Sequence, residues 1–164
     1  MSVDKKNYKI EILDSEILRE YDIRGIVGKN LKENTAYTIG RTFGSIVYAN
    51  KKEKKIVVGY DGRLTSKLLH DALCQGLIES GLEVFSIGLC PTPMLYFAIY
   101  NLSLNSGIMV TGSHNPSEYN GFKMVLNKEP FYSTQIQELQ KIAKKGQLKT
   151  KIGKLKNIDI LSNI

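Results

Sequence analysis

Four short apolar runs, at Lys55–Tyr60, Glu83–Gly88, Ser106–Thr111 and Gly121–Leu126, have the length and β-branched content of buried strands. Segments with helical spacing lie around them. Asn34–Ala49 repeats apolar residues on one stripe. Ser66–Gly81 carries Leu68, Leu69, Ala72, Leu73, Gly76 and Leu77 at helical intervals, with Thr65 or Ser66 as its N-cap and Gly81 as its stop. Thr92–Leu102 reads as a shorter helix with Thr92 as cap and Pro93 in its first turn, and Ser133–Lys145 as an amphipathic helix opened by a Thr134 to Gln137 capping box.

Connection lengths set the strand directions. About twenty residues with a helix separate the first strand from the second and the second from the third, as parallel right-handed crossovers require. Only Gly112 to Asn120 separate the third from the fourth, too few for a parallel return. The pattern therefore predicts a three-layer α/β/α domain on a mixed four-stranded sheet, three strands parallel and the fourth antiparallel.

Open α/β sheets bind ligands beyond the carboxyl ends of their parallel strands. Three polar segments fall at that edge: "DGRLT" after the first strand, "GLCPTP" after the second and "GSHNPSEYN" after the third. Their backbone N–H and hydroxyl groups can gather around an anion, and Arg63 supplies a positive charge. The pattern points to a phosphate or carboxylate site.

Composition narrows the classes. The chain has 164 residues, 42% of them apolar, enough for one domain with a core, and a net charge of +7 that attracts anions. The lysines concentrate in Lys51–Lys55 and Lys141–Lys156, without the aromatic ladder of RNA-binding sheets, so these runs read as solvated surface and nucleic acid is not an expected partner. No run of apolar residues is long enough for a membrane span, and the first residues lack a signal-peptide core, so a soluble cytoplasmic protein is expected. Cys74 and Cys90 have no metal-ligand spacing and are expected to be ordinary packing residues.

Within "TGSHNPSEYNGFK" (Thr111–Lys123), Gly112 permits a sharp turn beside Ser113, and Pro116 stiffens the far side of that turn. A hydroxyl held outward on a rigid loop suits a nucleophile or a phosphorylation site, whereas the plainer alternative has Ser113 and Asn115 bonding their own turn. A Ser-His hydrolase is a poor fit, because consecutive residues seldom reach base-to-nucleophile geometry and no Gly-x-Ser-x-Gly elbow is present. His114 then either contacts a phosphate or steadies the loop, while His70 reads as a surface or packing residue. Upstream, in "REYDIRGIVG" (Arg19–Gly28), Arg24 could grip a phosphate bidentately or pair with Glu20 or Asp22. Lys123 sits where the loop rejoins the sheet, either solvated or desolvated near a substrate and able to exchange protons.

Four stretches, "REYDIRGIVG", "VVGYDGRLTS", "GLCPTP" and "TGSHNPSEYNGFKM", occur in the order and at the intervals of motifs in the first domain of the α-D-phosphohexomutases, the phosphomannomutase and phosphoglucomutase family. The resemblance covers nearly the whole chain. It implies that Ser113 is the serine carried as phosphoserine, which exchanges phosphate with the 1- and 6-positions of a hexose phosphate through a bisphosphate intermediate. It implies that His114 and Lys123 flank the reacting groups, with Lys123 moving the proton, that Arg24 is the active-site arginine with Tyr21 beside it, and that Arg63 supports the phosphoserine loop. Asn115 is placed with the phosphate-binding residues. Gly112 stands where alanine is frequent, which implies a slightly looser turn.

The same resemblance implies Mg2+, bound partly through the phosphate on Ser113, and an activator of the glucose 1,6-bisphosphate type. It implies a hexose phosphate as substrate, and three further domains that would supply an aspartate-rich metal loop, a sugar-recognition loop and a phosphate clamp. Residues 1–150 are read as the first domain and 151–164 as a linker toward an absent second domain, so little mutase activity is expected of this chain alone. A separate chain supplying the missing domains is one expected partner; the alternative is a catalytically inactive remnant that binds phosphosugars.

Overall fold

In the computed structural model, which describes residues 5–50 and 53–163, the elements in chain order are β1 (Ile23–Ile26), α1 (Glu33–Ala49), β2 (Lys55–Tyr60), α2 (Ser66–Glu79), β3 (Glu83–Leu89), α3 (Thr92–Asn101), β4 (Gly107–Val110), β5 (Tyr119–Leu126), β6 (Glu129–Pro130), α4 (Thr134–Lys145) and β7 (Lys154–Asn157). Short 3-10 turns at Ser15–Ile17 and Ile160–Asn163 flank them. Lys51 and Lys52 of the lysine run lie outside the described residues.

All seven strands belong to one sheet, ordered β1-β5-β4-β2-β3-β7, with β6 paired to β5. The four expected strands form its centre, with β2 parallel to both β3 and β4 and β5 antiparallel to β4. The strand count differs from the expected four because three edge pieces carry no apolar run. β1, "IRGI", pairs antiparallel with β5, and the two-residue β6 extends the hairpin. β7, "KLKN", falls in the stretch read as a linker and pairs in parallel with β3. Its two exposed lysines flank the partly covered Leu155, a composition that suits an exposed sheet edge.

Helices cover both faces. On one side Phe43 of α1, Leu73 and Leu77 of α2 and Ile136 and Leu139 of α4 pack with Ile56, Val58, Ile108 and Phe122. On the other, Leu95, Ala98 and Ile99 of α3 pack on Val57, Met109 and Val125. The two cores define the three layers. Leu68, placed on the buried stripe by its spacing, is instead 46% exposed. Among the described residues no helix is long and apolar enough to cross a membrane.

Several capping signals are used differently from their local reading. Pro91, rather than Thr92, is the N-cap of α3, and Pro93 lies in the first turn. The Thr134 to Gln137 capping box does not form: α4 is capped by Ser133 at φ 53°, while the Gln137 amide donates to the carbonyl of Leu18. Thr65 caps α2 without a side-chain bond, because its hydroxyl accepts from Asn120, and Ser66 Oγ turns to Asp61.

Candidate active site

The carboxyl ends of β2 and β4 lie side by side, which brings Asp61–Arg63 against Thr111–Asn115. Asp61, directly after β2, is the hub of this edge. Its Oδ1 accepts from Ser66 Oγ and from the Arg63 backbone N–H (3.1 Å), and its Oδ2 accepts from Thr111 Oγ1 (2.8 Å) and the Gly112 N–H (3.1 Å). Burial alone would raise this carboxyl's pKa. The hydrogen bonds to its charged form outweigh burial and hold the pKa below the usual 3.8. Thr111 Oγ1, donating to Asp61, accepts the Ser113 N–H at 2.9 Å and so carries the tether to the serine.

Arg63 clamps the loop from outside. Nη1 donates to the carbonyls of Pro116 (2.7 Å) and Tyr119 (3.1 Å), and Nη2 to those of Ser113 (3.0 Å) and Asn115 (2.6 Å). Nε lies 3.6 Å from Asp61 Oδ2. The guanidinium, read from the sequence as charge for an anion, thus spends its four terminal donors on backbone carbonyls. It lies so close to Gly112 that a Cβ there would fall 2.2 Å from Arg63 Cζ. The absence of a side chain at Gly112, expected to loosen the turn slightly, also leaves the room that the clamp occupies.

Held this way, Ser113 takes φ 54°, a left-handed conformation that costs a non-glycine residue about 1–2 kcal/mol. Its hydroxyl has no hydrogen-bond partner among the described residues, and the residue lines an open cleft of about 440 Å3 with Asp61, Arg63, Asn115 and Ser117. Asn115, expected to contact phosphate, closes its own turn, with Nδ2 and the backbone N–H both donating to the Gly112 carbonyl at 2.8 and 3.1 Å. His114 is exposed at the loop tip without a hydrogen-bond partner among the described residues.

Arg24 and Lys123 come together through strand register. Ile23 pairs with Phe122 and Arg24 with Gly121, so Arg24, Gly121 and Lys123 share the sheet face that α3 occupies, while Ile23 and Phe122 enter the opposite core. Asp22, 8% exposed, holds Arg24 through an ion pair at 2.9 Å, one of the two partners its sequence context offered. Lys123 is half-buried beside Met109 of β4. Tyr21 is 76% exposed and stacks on Tyr132 at 6.3 Å. His70 is a packing residue, buried against Tyr60 with its ring nitrogens 2.9 Å from Asp71 Oδ1 and Ser86 Oγ. Cys74 is buried, Cys90 half-buried, and both are free.

Sequence reasoning missed Asp61, Thr111 and Asn120 as organisers of the site. Asn120, fully buried, donates to Thr65 and Ser66 and orders the turn after β2. An aspartate at the carboxyl end of a parallel strand, facing a second loop with a threonine at the same edge, was the available signal for the first two.

The site is thus a half-buried carboxylate tether, an arginine clamp and an unpartnered serine at the carboxyl edge of the mixed sheet of an α/β/α domain. Residues 15–150 match the family described as phosphoglucomutase/phosphomannomutase, alpha/beta/alpha domain I, and the chain belongs to that family. It is 45% identical over 153 residues to a phosphomannomutase/phosphoglucomutase of Pseudomonas aeruginosa, covering 93% of this chain and 33% of that protein. A phosphomannomutase of Klebsiella pneumoniae is 42% identical over 149 residues, 87% of this chain and 92% of that one. The crystal structure of a phosphoglucomutase/phosphomannomutase family protein from Burkholderia thailandensis superposes with a TM-score of 0.87 at 42% identity, over 92% of this chain and 34% of the other. The chain spans about a third of the length of the first of these relatives.

Proposed function

We propose that this chain is the phosphoryl-carrying domain of a phosphohexomutase, with Ser113 the residue that takes up and returns phosphate during exchange between the 1- and 6-positions of a hexose phosphate. The observation that carries this reading is Ser113, its hydroxyl unpartnered among the described residues, lining a cleft on a loop whose backbone is fixed from two sides by Asp61 and Arg63. Phosphoryl transfer is governed by in-line positioning and charge stabilisation, and a fixed loop serves the first need.

In the loading step, Ser113 Oγ attacks a phosphorus of a hexose bisphosphate. The new Oγ–P bond forms as the P–O bond to the sugar breaks, and the serine proton ends on the sugar oxygen released. Lys123, on the face shared with Arg24, is the group proposed to move that proton, and Arg24, oriented by Asp22, to hold a substrate phosphate. Arg63 acts on the loop, since its terminal donors are occupied.

Mg2+ would neutralise charge on the transferring group. Among the described residues no cluster of three or more His, Cys, Asp or Glu side chains could hold a metal, and the Asp61 oxygens are already engaged. The residues here do not by themselves fit a divalent cation, beyond a phosphate on Ser113, so no step is assigned to it. Further ligands, and the groups that select the sugar, would come from other domains or from a partner chain.

Incubation with glucose 1,6-bisphosphate followed by intact-mass measurement tests the reading. One phosphoryl increment is expected, absent in Ser113→Ala. A chain that takes up no phosphate, even when supplied with the remaining domains of a homologous mutase, would instead be an inactive phosphosugar-binding remnant.

A further inference from the structure

The sheet edge opposite Ser113 carries a second concentration of charge, independent of any phosphoryl transfer at the serine. There the first residues of three parallel strands stand in register, Lys55 of β2 beside Glu83 of β3 and Glu83 beside Lys154 of β7. Next to this row, in the last turn of α1, the Tyr48 ring gathers three ammonium groups, with Lys54, Lys149 and Lys151 Nζ at 3.9, 4.6 and 5.8 Å from its centroid. The ring rests on the backbone of Gly81, where a Cβ would lie 2.8 Å from Tyr48 Cε2. Lys54 and Gly81 in turn line a concavity of about 360 Å3 that reaches Lys55, Glu83 and Lys154.

The charges here are not balanced. Among the described residues Lys54, Lys149 and Lys151 have no carboxylate within ion-pair distance, and Glu83 is shared between Lys154 at 3.8 Å and Lys156 at 3.7 Å. Cation–π contact with this half-buried ring is a weak attraction for each lysine, and the three ammonium groups repel one another. The phenol registers this field: hydrogen bonding from Lys54 is the largest cause of a pKa held below the usual value, against a smaller upward effect of desolvation. A multivalent anion seated among the three would replace their mutual repulsion with attraction, and the Tyr48 hydroxyl offers it a donor.

We propose that the Tyr48, Lys54, Lys149 and Lys151 cluster, with the adjoining concavity, is a binding site for a compact multivalent phosphate-type anion. The carboxylate of Glu83, standing between Lys55 and Lys154, puts negative charge in the middle of the row. That opposes an extended polyanion laid along the edge, while leaving the Tyr48 side open to a small one.

Titration with sodium pyrophosphate at constant ionic strength, followed through ring resonances of 13C-labelled tyrosine and by calorimetry, tests the site. The expected result is a saturable, one-to-one shift of the Tyr48 signals, with affinity at least tenfold weaker in Lys54→Gln/Lys149→Gln and unchanged in Lys141→Gln, an exposed lysine of α4 outside both sites. Should the double variant misfold, Lys151→Gln alone is expected to weaken binding several-fold. Shifts that grow without saturation, or affinity unaffected by these substitutions, would overturn the proposal. So would tight binding of a single-stranded oligonucleotide that pyrophosphate cannot displace, which would mark an extended polyanion surface instead.

Discussion

The guanidinium of Arg63 lies against the backbone of Gly112 at a distance no side chain would allow, 2.2 Å from where a Cβ would stand to Arg63 Cζ. Because four carbonyls of the same loop hold that guanidinium, it cannot swing aside without giving up hydrogen bonds. Gly112→Ala is therefore expected to displace the clamp and destabilise the domain by about 1–3 kcal/mol, the usual range for overpacking. Thermal denaturation of the variant checks this; an unchanged Tm would mean that the loop accommodates the methyl group without loss.

Arg63→Lys keeps the charge but not the fork. One ammonium cannot span the carbonyls of Ser113, Asn115, Pro116 and Tyr119, and hydrogen bonds from a charged donor are worth about 1.5–3 kcal/mol each. A loss of at least about 2 kcal/mol in urea denaturation is expected. Phosphoryl uptake from glucose 1,6-bisphosphate should slow as well. Wild-type stability with slowed uptake would assign Arg63 to the ligand and not to the loop.

Asp61 gives the domain a pH dependence of known sign. Its pKa in the fold lies below the usual 3.8, so the stability it contributes is fully present above that value and is lost as pH falls through the folded pKa. Asp61→Asn should be less stable than wild type at pH 7, with the gap narrowing below about pH 4. Denaturation curves between pH 7 and pH 3 measure it, and a gap independent of pH would show that the carboxylate's charge plays no part.

Ser113 separates stability from chemistry. Ser113→Ala and Ser113→Gly both remove the hydroxyl and should both abolish phosphoryl uptake. Only glycine relieves the left-handed backbone at φ 54°, so the glycine variant should be the more stable of the two by about 1 kcal/mol. Equal stabilities would place the strain elsewhere.

Much of the architecture was legible because it rests on one-dimensional signals. The runs at Lys55–Tyr60 and Gly121–Leu126 are apolar enough to be buried whatever surrounds them, and the nine residues from Gly112 to Asn120 leave an antiparallel return as the only connection that fits. The same economy placed Ser113 at the carboxyl edge of the sheet beside the turn after β2. β1 and β7 escaped because "IRGI" and "KLKN" become strands only when β5 and β3 offer them an edge.

What the tertiary structure decided is the partner each polar group takes. By local chemistry alone, Arg63 faces an anion, Asn115 a phosphate or its own turn, Ser66 a helix end and Gln137 its own cap; only the family resemblance set Arg63 to support the loop. In the fold these reach four carbonyls, the Gly112 carbonyl, Asp61 and the Leu18 carbonyl. Arg63 and Gln137 reach groups tens of residues away in the chain, whereas Asn115 and Ser66 find theirs within five residues, at turns whose shape the fold sets. The amino-acid order determines that Ser113 stands on a tight loop at a ligand edge; only the folded chain brings Asp61 and Arg63 against that loop, where their charges pair its part-buried backbone groups.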